Sequence, residues 1–104
     1  IARIANATAK LLQCDLELSP SDILNSDEYI GDRYGVLTQE GRDALKLVAE
    51  TEGIFLDPVY TSKAMAGMID QIRKGIITKN ETVVFIHTGG LPALFAYAED
   101  LMLS

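Results

Sequence analysis

The sequence predicts an α/β layered fold in which helices pack on a short parallel sheet. Apolar residues recur at helical spacing near both ends and in the middle of the chain. One run, TVVFIHTGG at 82–90, instead holds consecutive β-formers, which is typical of a parallel strand covered on both faces. The predicted order is helix, loop, helix, strand, helix, strand, helix, and this alternation favours layered packing.

The first elements are an amphipathic helix and a long acidic loop. The helix over 1–14 has apolar residues on one face: Ile1, Ile4, Ala5, Leu11 and Leu12. Residues 15–35 contain six acids, two glycines and a Ser-Pro pair, which predict a loop with a short helical turn over 19–24. Loops of about twenty residues are usually functional or disordered.

The clearest helix signal follows this loop. Thr38 is a good N-cap, and Gly53 is a suitable stop. IFLDPVY, at 54–60, predicts a short extended segment because the residue before a proline favours extended geometry.

Two further helices are predicted on either side of the 82–90 strand. Thr61 or Ser62 caps the first, which runs to about Lys74 and ends at Gly75. The second covers 91–103 and has a proline in its first turn.

Composition excludes several classes of partner. The 104 residues form at most one small domain. Fifteen acids against nine bases give a net charge of −6, which disfavours nucleic-acid binding. Cys14 is the single cysteine, so an internal disulfide is excluded and a reducing compartment is indicated. Without an apolar run of about 18 residues or a signal peptide, we expect a cytoplasmic location and no membrane partner. The chain begins in helical register, like the middle or end of a longer protein.

The strand-to-helix junction VVFIHTGGLPAL resembles a ligand-binding turn. Gly89 and Gly90 allow the backbone to approach a ligand, and the following helix offers free N–H groups. The alternative is a tight turn in which Thr88 acts only as a cap. His87 points to the opposite face from Thr88 and is interpreted as structural, and a lone histidine predicts no metal site.

A second polar cluster precedes a tract of small residues. Tyr60, Thr61 and Ser62 could form a simple helix cap, with Lys63 as a solvated first-turn residue. The small face that follows, which includes Gly67, indicates instead a helix packed closely against its surroundings, as in a binding-site helix.

Three stretches in this order resemble the fold-type II pyridoxal-phosphate (PLP) enzymes: EYIGDRYGVLTQEG at 28–41, TEGIFLDPVYTSKAMAGMI at 51–69 and VVFIHTGGLPALFAY at 83–97. The group is the one that contains aminocyclopropane-carboxylate (ACC) deaminase, D-cysteine desulfhydrase and cysteate sulfo-lyase. The likeness covers essentially the whole chain. It implies the tryptophan-synthase-β-like layered fold, PLP as cofactor and an amino acid as substrate.

The resemblance also implies roles for individual residues. Tyr34 and Tyr60 would be catalytic and lie over the reacting face of the cofactor. Thr88 would hydrogen-bond the pyridine nitrogen, with Thr61 also on the cofactor side. The glycines at 89–90 would let the backbone pass close to the ring.

Two positions indicate the subgroup. In the cyclopropane-opening deaminases a glutamate follows the catalytic tyrosine and a leucine precedes the Gly-Gly pair, whereas this chain has Thr61 and Thr88 there. A threonine hydroxyl donates to an unprotonated ring nitrogen, which gives a weaker electron sink that suffices for β-elimination. The likeness therefore favours a lyase of the D-cysteine desulfhydrase type, with ACC deaminase as the alternative.

The chain departs from the family in one large respect. The Schiff-base lysine and the phosphate-binding loop have no counterpart here, and Lys63 does not replace that lysine. Residues 1–104 therefore resemble the C-terminal segment of the catalytic domain, which alone should be inactive and should not bind PLP stably. The other interpretation is an inactive structural or interaction module. Surfaces left uncovered in either case make a homo-oligomer an expected assembly.

Overall fold

The computed structural model describes residues 1–102 of the protein. Its α-helices are α1 (Ala2–Leu11), α2 (Gln39–Glu52), α3 (Thr61–Arg73), α4 (Ala93–Ala96) and α5 (Ala98–Met102), with a 3₁₀ turn at Pro20–Asp22. No β-strand occurs within this described part. The predicted end of the last helix, at Leu103, lies outside it.

Helix α2 begins and ends where the sequence predicts. The Thr38 hydroxyl accepts a hydrogen bond from the Gly41 amide at 3.0 Å, so one of the unpaired N–H groups of the first turn is satisfied. Gly53 adopts a left-handed conformation with φ of 66° and terminates the helix. The N-cap and the stop are therefore both confirmed.

Helix α3 also matches its predicted end, since Gly75 follows it with φ of 72°. At its beginning, however, neither Thr61 nor Ser62 acts as the predicted side-chain cap, because both belong to the helix itself. The carboxylate of Asp57 satisfies the amides there, as described below.

A small core lies between α2 and α3. Ala44 and Val48 of α2 pack against Met65 and Ala66 of α3, and Leu56 closes the cluster. Gly41 lies directly beside the buried Ser62, since a Cβ at Gly41 would be 3.3 Å from the Ser62 hydroxyl oxygen. The small residues of α3 therefore allow α2 to approach closely.

The predicted strand at 82–90 is neither paired nor buried in the described chain. Val84 and Ile86 are 81% and 77% exposed, and Phe85 alone packs against the core. A contact from His87 to Phe55 and another from Gly90 to Asp57 place the segment beside 55–57, running parallel to it. A sheet needs a ladder of backbone hydrogen bonds, and none joins these two segments within residues 1–102. The predicted sheet packing is therefore unconfirmed.

Helix α1 forms within the predicted range 1–14, although its apolar face is uncovered and its buried residues are Ala2 and Ala9. The expectation of one last helix needs correction. The chain has two short helices in place of the predicted one. They are separated at Tyr97, whose φ and ψ of −105° and 13° lie outside the helical region.

The described chain exposes much more surface than its size requires. Its accessible surface is 8132 Å², whereas a compact monomer of this mass exposes about 5,700 Å². The radius of gyration is 16.4 Å, against about 13 Å for a compact domain of this length. Within residues 1–102, no helix is both long and apolar enough to cross a membrane.

Candidate functional site

The Asp57 carboxylate organises the turn that leads into α3. Its Oδ2 accepts hydrogen bonds from the amides of Val59 and Tyr60, each at 2.8 Å. Its Oδ1 accepts from both the amide and the hydroxyl of Thr61, each at 2.7 Å. These hydrogen bonds fix the backbone on both sides of Tyr60. Asp57 therefore helps to set the direction in which the Tyr60 side chain points.

Asp57 is held in its charged form. Burial raises the pKa of its carboxyl, but the hydrogen bonds from Thr61, Tyr60 and Val59 outweigh that effect and hold the pKa below its ordinary value. The Thr61 hydroxyl is fully engaged here, because it also accepts a hydrogen bond from the Asp57 amide at 2.7 Å. Thr61 is buried, and its single hydroxyl proton is used on Asp57.

The Gly-Gly turn at 89–90 contacts the turn around Asp57 through Gly90. A Cβ at Gly90 would lie 2.8 Å from the Cβ of Asp57, so only glycine permits this approach, and its φ of 92° also favours glycine. A Cβ at Gly89 would meet no atom within 4 Å. Thr88 is exposed, and its hydroxyl has no hydrogen-bond partner among residues 1–102.

His87 is occupied on both ring nitrogens. Its Nδ1 accepts a hydrogen bond from the Gly89 amide at 3.0 Å, so the proton is on Nε2, which donates to the Phe55 carbonyl at 2.8 Å. This arrangement agrees with the structural role predicted for His87, because neither nitrogen is left to act as a base.

The loop before α2 lies across α3. The Tyr29 ring packs on Gly67, where a Cβ would be 2.9 Å from the ring, and its hydroxyl donates to Asp70 Oδ2 at 2.6 Å. Lys63 is 8% exposed, and its Nζ donates to the Ile30 carbonyl at 2.6 Å. The alternative in which Lys63 is a solvated first-turn residue is therefore wrong, because the loop covers this side chain.

This loop brings Tyr34 to Tyr60. The Tyr60 hydroxyl donates to the Tyr34 hydroxyl at 3.1 Å, and the ring centroids are 5.9 Å apart with an interplanar angle of 56°. That hydrogen bond is the main cause of a raised pKa at Tyr60, and partial burial adds to it. A phenol of this kind remains protonated at neutral pH and can donate a proton or a hydrogen bond.

The two phenols lie at an open cavity of about 600 Å³, which is the size of a small-molecule site. Its lining residues come from the loop and from the start of α3: Ser26, Tyr29, Ile30, Gly31, Asp32, Arg33, Tyr34, Gly35, Val59, Tyr60, Lys63 and Ala64. Among the predicted site residues, the structure therefore brings Tyr34 and Tyr60 together. Thr61, Thr88 and the glycines at 89–90 do not line this cavity.

Two residues of this site, Asp57 and Tyr29, are not among those predicted from the sequence. Asp57 does carry a local signal beyond its place before a proline, because an aspartate three and four residues before Tyr60 and Thr61 is typical of a helix cap. Tyr29 carries no local signal, because its partners Gly67 and Asp70 are about forty residues away along the chain.

Comparisons with known proteins identify the family of the chain. The family described as "Pyridoxal-phosphate dependent enzyme" matches residues 2–89. A solved structure described as an ACC deaminase homologue is 38% identical, with a TM-score of 0.78 over 93% of this chain. The chain spans 28% of the length of that structure's chain. The chain therefore belongs to the pyridoxal-phosphate-dependent enzymes of fold type II.

Proposed function

We propose that this chain is the substrate-facing, C-terminal segment of a PLP-dependent lyase that eliminates the β-substituent of a cysteine-like amino acid. The observation that carries the proposal is the pair of phenols, Tyr34 and Tyr60, whose hydroxyls are 3.1 Å apart at the edge of a cavity. Two convergent hydroxyls on one cavity wall suit a small polar substrate.

The tyrosines are the groups proposed to act on the substrate. The Tyr60 hydroxyl donates a hydrogen bond to the Tyr34 oxygen, so the Tyr34 O–H group is left to donate to a third group. A substrate carboxylate or a leaving sulfur atom in the cavity could accept that proton. The raised pKa of Tyr60 keeps the Tyr60 phenol protonated, which suits donation and not base catalysis.

The residues of the Thr88–Gly90 turn are proposed to meet one edge of the cofactor. PLP supplies an electron-withdrawing ring that stabilises negative charge at the substrate's α-carbon. The Thr88 hydroxyl has no partner within residues 1–102, and the space beside Gly89 is open, so Thr88 is the residue proposed to meet the ring nitrogen. Thr61 would have to release Asp57 to make such a contact, and it is proposed to act through Asp57.

The remainder of the catalytic site is proposed to lie in a part of the enzyme that this chain does not contain. The match covers 28% of the related structure's chain. Apolar side chains on α1 and on the 82–90 segment are uncovered, among them Ile4, Leu11, Val84 and Ile86. We propose that the rest of the catalytic domain covers these faces and supplies the neighbours of the predicted sheet.

ACC deamination is the second candidate function, because the 38% identical structure is described as an ACC deaminase homologue. A carboxylate near the ring nitrogen would favour the stronger electron sink that ring opening requires. The residues at the two subgroup positions are Thr61 and Thr88. Neither is a carboxylate, and for this reason β-elimination is the first candidate.

The test is a substrate comparison on the complete gene product, loaded with PLP. We expect D-cysteine to yield sulfide, pyruvate and ammonia, with much slower release of 2-oxobutanoate and ammonia from ACC. L-Cysteine and 3-chloro-D-alanine, assayed beside it, define the preferred configuration and leaving group. Preferential turnover of ACC would support the second candidate, and turnover of no amino acid would support the inactive module.

A further inference from the structure

The position of Tyr34 is not explained by contacts of its own side chain. Tyr34 is 78% exposed, and it lies in a loop without regular secondary structure. Its hydroxyl is nevertheless within hydrogen-bond distance of Tyr60. The backbone on either side of Tyr34 must therefore be held in place by other residues.

Two side chains bind backbone carbonyls on opposite sides of Tyr34. Lys63 Nζ donates to the carbonyl of Ile30, four residues before it. The Tyr97 hydroxyl donates to the carbonyl of Gly35, the residue directly after it. These contacts reach the loop from two different elements, α3 and the junction between α4 and α5.

Lys63 is an unusual anchor. Its side chain is 8% exposed at the wall of the cavity, and it forms no ion pair within residues 1–102, so the Ile30 carbonyl is the protein group that its Nζ contacts there. A largely buried charged group is stabilised by each hydrogen bond that it keeps, so we expect this contact to persist. Lys63 also lies on the first turn of the helix that begins directly after Tyr60, so this contact links the Tyr34 loop to that helix.

We infer that Lys63 and Tyr97 are positioning residues that clamp the loop 30–35 at its two ends and hold the Tyr34 hydroxyl at Tyr60. The effect of this clamp on turnover rests on the proposed function, whereas its effect on the tyrosine pair does not. Neither residue is proposed to touch the reacting atoms.

The test follows the Tyr60 phenol by NMR in the complete gene product labelled with ¹³C at the tyrosine ring. The variants are Lys63→Met, which keeps the apolar length of the side chain, and Tyr97→Phe, which removes only a hydroxyl. Lys46→Met is the matched control, because Lys46 is an exposed lysine on α2. The Tyr60 signal is identified by its loss in Tyr60→Phe.

We expect the pKa of Tyr60 to fall towards the ordinary tyrosine value in both clamp variants and to stay unchanged in the control. Loss of a positive charge would by itself raise the pKa of a phenol. A fall in the Tyr60 pKa of Lys63→Met would therefore result from release of the loop and not from the loss of charge. If Lys63→Met does not fold, Tyr97→Phe decides the question. A Tyr60 pKa equal to that of the parent in the folded clamp variants would overturn the inference.

Turnover provides the second readout. If the proposed function holds, kcat falls about 10-fold to 100-fold in the clamp variants with KM little changed, as for a small misplacement of a reacting group. Parent-like kcat in both variants, with a lowered Tyr60 pKa, would contradict the proposed role of the tyrosine pair and not the clamp. If the parent enzyme turns over no amino acid, the proposed function fails, and the tyrosine titration alone decides the inference.

Discussion

The carboxylate of Asp57 accepts four hydrogen bonds from the turn at Val59–Thr61, and its Cβ lies against Gly90. One buried side chain therefore joins the turn that orients Tyr60 to the Gly-Gly turn that follows Thr88. Sequence motifs some thirty residues apart are connected in this way through a single carboxylate.

We expect Asp57→Asn to destabilise the protein by about 2–6 kcal/mol at pH 7, because each carboxylate oxygen accepts two hydrogen bonds and two donors lose their acceptor, at about 1–3 kcal/mol each in a buried site. The folded-state pKa of Asp57 is lowered, so its stabilising effect is complete above the unfolded pKa of about 3.9 and is lost as pH falls through the folded pKa. The difference between parent and variant should therefore shrink below about pH 4.

Urea unfolding measured across pH checks this expectation, with Asp15→Asn as an exposed control. A destabilisation that is the same at pH 3 and pH 7 would show that Asp57 acts through packing and not through its charge.

At the scale of the element, two neighbours pack closely against α3, one on each of two sides. Gly67 receives the ring of Tyr29, and Ser62 lies against Gly41 of α2. The small residues that follow Tyr60 therefore serve two neighbours within this chain, a helix and a loop. The sequence predicted the close packing but not its partners, because partner identity depends on contacts distant along the chain.

Gly67→Ala tests this packing. In an open helix this substitution stabilises by about 1 kcal/mol through helix propensity. Here the new Cβ would lie 2.9 Å from the Tyr29 ring, which its hydroxyl bond to Asp70 restrains. We expect a net destabilisation of about 1–2 kcal/mol from overpacking.

The control for Gly67→Ala is the same substitution in a Tyr29→Ala background, where it should become stabilising. Urea unfolding of the four proteins gives the coupling energy between the two positions. A stabilising effect in both backgrounds would mean that the Tyr29 ring does not constrain α3.

Local signals account for the elements that sequence reasoning predicted well. Thr38, Gly53 and Gly75 act within a few residues of themselves, and each marks a helix end in the structure. The predicted strand at 82–90 would depend on neighbouring strands, and no local pattern supplies those. The proximity of Tyr34 to Tyr60 came from family resemblance, since the two residues are separated by all of α2.

For the whole molecule, the main feature is uncovered apolar surface. The accessible area of 8132 Å² exceeds that of a compact monomer of this mass by about 2,400 Å². The face of α1 was predicted correctly from its periodicity, yet Ile4 is 65% exposed. Amphipathic spacing predicts that one face of a helix is apolar, but it does not predict which part of the protein covers that face.

In the proposed site, the loop 30–35 and the start of α3 together present Tyr34 and Tyr60 to the substrate. Tyr60→Phe in the complete, PLP-loaded gene product tests it most directly, with kcat, KM and cofactor affinity measured on the preferred amino acid. We expect kcat to fall by about 10²–10⁴-fold if the phenol transfers a proton, with cofactor affinity nearly unchanged. A raised KM with unchanged kcat would indicate substrate anchoring instead. Parent-like kcat and KM in both Tyr60→Phe and the companion variant Tyr34→Phe would contradict the account.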